Sequence, residues 1–267
     1  MVKRLLKIFN IMGLIFLGLI VVFVTNGSVE YIYVQNNIQE FKERAEFDFT
    51  IEAINTTYYK VYPKYEYEDN TRSVLTFEEN LEYIGSAGDI ILTNRNPATN
   101  IPVLTLIISY FAKYFYVGHS TVNAIDPRLT YEVVGNDEIS DESRNEVRKV
   151  ENDWLYSDYN TRHIIGLRVK NINNDLAKDV ENYCDDKIGY PYNYTFAFNR
   201  NNSYYCTDLI SRAYHSANVG INYDYLGTTG NDLILSDNTY MIFYREVVIK
   251  DGQNHFNIYY LKEDTNV

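Results

Sequence analysis

Basic residues are in short supply. Against 36 Asp and Glu, the 267-residue chain carries 24 Lys and Arg, a formal net charge of −12. Such a chain is repelled by phosphate backbones, which argues against nucleic acid as a partner. Cysteine is scarcer still: Cys184 and Cys206 are the two in the chain, enough for at most one internal disulfide. The histidines His163, His215 and His255 lack the close His or Cys pairs that a tetrahedral zinc site needs. There is no glycine-rich phosphate loop, no internal repeat and no low-complexity tract. No metal and no cofactor are expected.

What is present is the material of an ordinary globular core. The apolar fraction is 46%, and the length suits one large domain or a medium one with appendages. Tyrosine is abundant, at 27 residues; codon drift in a low-GC genome is the plain reading, and a carbohydrate-facing aromatic surface is the alternative. At the N-terminus Lys3, Arg4 and Lys7 precede an apolar run over residues 8–24. A span of about 20 residues crosses a hydrocarbon core, and basic residues mark the cytoplasmic side. A cleaved signal peptide is the competing interpretation, but Val24-Thr25-Asn26-Gly27 is a poor cleavage site. Residues 1–26 are therefore expected to be a single-pass transmembrane anchor in the cell membrane, with the bulk of the chain extracytoplasmic.

Tyr31, Val34, Ile38, Phe41 and Ala45 recur at helical spacing, which predicts a helix docked on a domain. Residues 27–80 form a helical and tyrosine-rich connecting region: a stalk, a lid, or part of the domain. Thr76 and Glu79 have the spacing of a capping box, predicting a short helix to about residue 84. Residues 101–115 read as a buried element.

Residues 81–267 carry the chemistry. A strand is predicted at 90–92, another around His119, a turn at Asp126-Pro127-Arg128, and a returning strand with Glu132. That hairpin would bring Glu132 back toward His119. A further strand is predicted at 164–169, a helix capped by Asn174 and ended by Gly189, and a helix starting at Cys206. Strand-like segments at 240–248 and 255–261 close the domain. A thiol attacks only as thiolate, and both a helix start and an imidazolium favour that form. Cys206 is placed to receive both. Cys206 as nucleophile, His119 as base and Glu132 as orienting carboxylate is the logic of a catalytic triad, whose chain order is free. Cys184, on the preceding helix, is read as a packing residue, with a Cys184–Cys206 disulfide as the alternative.

Gly88-Asp89-Ile90-Ile91, Gly118-His119-Ser120, Glu132, Gly189-Tyr190-Pro191-Tyr192 and Tyr205-Cys206-Thr207-Asp208-Leu209-Ile210 together resemble the YiiX-like permuted papain-like hydrolases, relatives of the NlpC-type cell-wall endopeptidases. The resemblance covers roughly residues 83–225. It implies an α+β, circularly permuted papain-like fold whose antiparallel sheet packs on the cysteine helix. It implies a histidine–polar residue–cysteine order matched by His119, Glu132 and Cys206. Cell-wall peptide is the implied substrate, with a lipid amide or thioester as rival. A surface binding or scaffold protein without turnover is the alternative class.

Overall fold

Eleven strands and four α-helices are present in the computed structural model, which describes residues 2–68, 71–78, 81–94, 115, 118–135, 145–155, 162–195, 202–224 and 227–263. In chain order they are α1 (Val2–Glu43), β1 (Ala45–Ile51), β2 (Thr56–Val61), β3 (Leu75–Glu78), β4 (Leu81–Ile84), β5 (Ile90–Thr93), β6 (His119–Asn123), β7 (Leu129–Val133), β8 (Val147–Glu151), β9 (Ile164–Val169), α2 (Asn174–Asp185), α3 (Cys206–Ser216), α4 (Gly230–Leu235), β10 (Thr239–Lys250) and β11 (Gln253–Leu261). Nine strands form one sheet in the order β1-β2-β11-β10-β9-β5-β6-β7-β8, and β3 pairs with β4 in a separate hairpin.

The sheet is buried on both faces. In β5, Ile90 and Leu92 belong to one apolar cluster and Ile91 to the other, as the two-residue repeat of a strand requires. The first cluster takes in Val34, Ile38 and Phe41 of α1, Val180 of α2, Leu209 and Ala213 of α3 and Leu233 of α4, so the helices cover that face. The β3–β4 hairpin and Trp154 cover the other. Val34, Ile38 and Phe41 are at most 5% exposed, and burial of each such side chain contributes about 1.5–3 kcal/mol.

Several expectations are corrected here. The sheet is mixed, not antiparallel, because β11 runs parallel to β2. The protein is thus a sheet-rich α+β fold, not the expected antiparallel sheet behind a membrane anchor. The cause lies in β1 and β2, which join the main sheet; the adjacent tyrosines Tyr58 and Tyr59 hide the alternation of β2. The anchor itself is not supported: among the described residues no helix is long and apolar enough to cross a membrane. The single-pass placement inferred from it falls as well. The apolar run is the start of a 42-residue helix, not a separate element. At its expected end, Asn26 bonds Asp224 of the domain at 3.1 Å, and Glu30 is 1% exposed.

The helix expected after Thr76 is instead the β3–β4 hairpin, with Leu75 paired to Ile84. Its four-residue strands fill the space over the second core, a tertiary demand that outweighs a local capping pattern. The α2 cap is Asn173, one residue before the expected Asn174, and its Oδ1 accepts from the Leu176 amide at 2.8 Å. The expected element at 101–115 lies, apart from Phe115, outside the described residues.

One buried ion pair joins the sheet to the loop before β5. The Arg168 Nε and Nη2 donate to both oxygens of Asp89 at 2.8 and 2.6 Å, with both side chains at most 1% exposed. Arg168 also donates to the carbonyls of Arg72 and Ser73, and Asp89 accepts from the Ser86 amide. Removing one partner leaves the other charged and dry. Asp89→Ala is therefore expected to lower unfolding free energy by about 3–5 kcal/mol in urea titration, far more than an exposed substitution such as Asp175→Ala.

Candidate active site

Backbone crowding fixes where His119 begins. A Cβ on Gly118 would meet the Thr93 carbonyl oxygen at 2.0 Å, so only glycine lets the chain enter β6 this close to β5. His119 then pairs across β5 with Thr93. The Asp126 carbonyl accepts from the Leu129 amide at 2.9 Å, turning the chain into β7. The β6–β7 register sets Val122 opposite Tyr131. Continued two residues, it makes His119 and Glu132 diagonal neighbours on one face, within reach of long side chains.

The structure brings all three predicted site residues together. The His119 Nε2 lies 2.7 Å from the Glu132 Oε2, with the two residues 6% and 4% exposed. That bond occupies Nε2 and leaves Nδ1 free of it, and the Cys206 thiol lies near enough for thiol and imidazole to shift each other's protonation. The Cys206 Sγ also donates to the Gly118 carbonyl at 3.6 Å. Both cysteines are free thiols, so the disulfide alternative is set aside. Cys184 is buried on α2, where burial and then nearby Asp185 and Glu181 push its thiol far up.

Electrostatics favour an ion pair between His119 and Cys206. Burial, the largest influence, pulls the imidazole pKa down, but hydrogen bonds to Cys206 and Glu132 and their charges outweigh it and raise it to about 9. Burial likewise raises the Cys206 thiol, and the hydrogen bond and charge of His119, with both the hydroxyl and the backbone of Ser120, bring it below its ordinary value. Glu132 is raised by burial and lowered further by His119 and Arg148, reaching about 2. These shifts all act in the direction of thiolate, imidazolium and carboxylate.

Three supporting residues were not foreseen. Arg148, opposite Glu132 on β8, donates from Nε and Nη2 to the Glu132 Oε1 at 2.9 and 2.5 Å. Ser120 is buried beside the sulfur. Trp154 stacks on His119 with ring centroids 5.6 Å apart and planes 17° apart. The signal for Ser120 was its place next to the histidine. Arg148 and Trp154 depend on tertiary pairing that no local pattern reveals.

The cysteine opens α3 after Tyr205, and no side chain caps that helix. Its first amides are thus available to a developing negative charge. Asp208, whose charge would oppose the thiolate, is held by Arg212 at 2.6 Å. Tyr205 and Thr207 brace the helix start from outside, through bonds to the amide and carbonyl of Thr228 at 3.2 and 2.5 Å.

No family model and no curated protein matches the chain. Among solved structures it is similar to the crystal structure of metalloprotein yiiX from Escherichia coli O157:H7, at 12% identity and a TM-score of 0.41, over 59% of this chain and 96% of that one. A likeness that remote carries no weight for activity, and the site's own geometry has to.

The ion pair makes a direct prediction. Iodoacetamide should alkylate Cys206 at a rate that stays nearly level from pH 8 to below neutrality, while Cys184 stays unmodified. In His119→Ala the raising effect of burial is opposed by Ser120 alone, so the rate should fall about tenfold or more at pH 6.5 and recover toward the ordinary thiol pKa of about 8.5. Peptide mapping by mass spectrometry reads both sites.

Proposed function

We propose that the protein is a cysteine hydrolase that cleaves a peptide-type amide bond through Cys206, His119 and Glu132. The observation that supports this most is a buried imidazole fixed at Nε2 by a carboxylate, with a buried thiol at an uncapped helix start near enough for each to act on the other. A purely structural histidine requires neither the thiol nor the free amides.

In the proposed reaction the Cys206 thiolate attacks the carbonyl carbon, and the negative charge that develops on oxygen is met by first-turn amides of α3. The His119 imidazolium gives its proton to the departing amine, leaving an acyl-thioester on Cys206. Neutral His119 then takes a proton from water, whose oxygen displaces the thiolate and releases the acid. Glu132 keeps the ring oriented through both halves, and Arg148 holds Glu132. The resemblance around His119 and Cys206 makes cell-wall peptide the first substrate to try. The lipid rival loses the membrane tether that recommended it.

The test is hydrolysis of bacterial cell-wall fragments and simple peptide amides by purified full chain. Cys206→Ala and His119→Ala should each lower kcat/KM by about 10³-fold or more, and Glu132→Gln by about 10²-fold. A covalent acyl adduct on Cys206 should be visible by intact-mass analysis. Wild-type protein that turns over none of these and forms no adduct would place it among binding proteins instead.

A further inference from the structure

A second polar cluster lies where α1 meets α4 and the loop before it. Carboxylate oxygens of Glu30, Asp224 and Asp232 lie within 4.8 Å of one another. Two ligands bound to calcium at about 2.4 Å can be at most about 4.8 Å apart, so the three can share one ion. Proximity of acids alone would not be enough. Two further observations point to a ligand.

The first is Glu30 itself: it is 1% exposed, and its Oε2 has no hydrogen-bond partner. The second is Asn231, also 1% exposed, with neither Oδ1 nor Nδ2 bonded. Its side chain lies close enough to the Glu30 carboxylate to act on it. A buried amide with both ends unused is costly, and a buried carboxylate facing two others is more so. Asn26 adds a fifth group. Its amide reaches Glu30 at 2.5 Å and Asp224 at 3.1 Å, and a half-turn of that amide presents oxygen to the same spot.

We infer that Glu30, Asp224 and Asp232, with amide oxygens from Asn231 and Asn26, form a binding site for a hard divalent cation, calcium above others. All the donors are oxygens, which excludes a preference for soft metals. Three carboxylates and two amide oxygens supply five ligands, and a carboxylate binding through both oxygens or a water brings them into calcium's range of about six to eight, whereas magnesium keeps several waters and uses one or two carboxylates. Asp232 is already held in place by the amide and hydroxyl of Thr229, each at 2.8 Å. The ion would clamp α1 to the segment whose Thr228 braces the start of α3. The site is separate from Cys206 and independent of the proposed hydrolase activity.

Isothermal titration of the EDTA-treated full chain with calcium chloride tests this, alongside melting curves in EDTA and in millimolar calcium. Wild type should bind one calcium with a dissociation constant below about 1 mM and gain about 2–5 °C in Tm. Glu30→Gln and Asp224→Asn should each weaken binding at least tenfold. In EDTA, Glu30→Gln should melt no lower than wild type, because it removes charge repulsion; in calcium it should melt lower. Asp224, on a half-buried loop, provides a variant whose folding is not at risk. Absence of saturable calcium binding to wild type, or wild-type affinity in both variants, would overturn the assignment.

Discussion

Burying an imidazole beside a carboxylate is costly unless each satisfies the other, and the candidate site depends on that one bond. His119 and Glu132 are both more than nine-tenths buried and meet at 2.7 Å. The bond decides which ring nitrogen is free, and hence which one can face Cys206. It also makes the hairpin register consequential, because a slip of one residue would turn Glu132 to the opposite face of the sheet. Arg148 on β8 satisfies the second carboxylate oxygen, so four adjacent strands, β5 to β8, contribute to holding one ring. The pair also ties stability to pH. Glu132, whose pKa is lowered, stabilises the fold above its unfolded value of about 4.5 and loses that contribution as pH falls toward about 2. His119, whose pKa is raised, contributes fully below about 6.5 and loses its contribution as pH rises through about 9.

The thiol arrives from a different part of the fold. The start of α3 is set by packing of Leu209, Ile210 and Ala213 into the first core and by the bonds of Tyr205 and Thr207 to Thr228. That loop leads into α4, and α4 meets α1 near Glu30. The long N-terminal helix and the helix that carries Cys206 are thereby linked through a short polar segment. Sheet and helix layers meet where Gly118 admits His119, and the Gly118 carbonyl accepts a hydrogen bond from the thiol when the thiol is neutral.

Much of this site was legible in the sequence, and the reasons are local. A cysteine at the start of an amphipathic stretch, a histidine after glycine, and a carboxylate beyond an Asp-Pro turn are patterns that chain geometry converts into proximity. Strands β5, β7, β9, β10 and β11 were visible for the same reason, through apolar runs bounded by turn residues. The edge of the sheet was not. In β2 tyrosines occupy both faces: Tyr58 joins the second core, while Tyr59 stacks on Tyr259 of β11. Amphipathic rings of this kind erase the alternation that marks a strand. The N-terminal helix misled for a related reason. Its apolar run has the look of an independent span, but Asn26 and Glu30 commit the helix to polar contacts that only the folded domain provides. Arg148, Trp154 and Asn231 act entirely through tertiary neighbours, which no spacing rule anticipates.

The charge state of His119 tests the central claim most directly. Ring-nitrogen chemical shifts of ¹⁵N-histidine-labelled protein, followed from pH 5 to 10, report whether the imidazole is doubly protonated. The ion pair predicts a His119 signal that stays imidazolium through neutrality and titrates near pH 9, and that titrates well below this in Cys206→Ala, where the thiolate is gone. A His119 that is already neutral at pH 7 in the wild type, or that titrates identically in Cys206→Ala, would contradict the thiolate–imidazolium site.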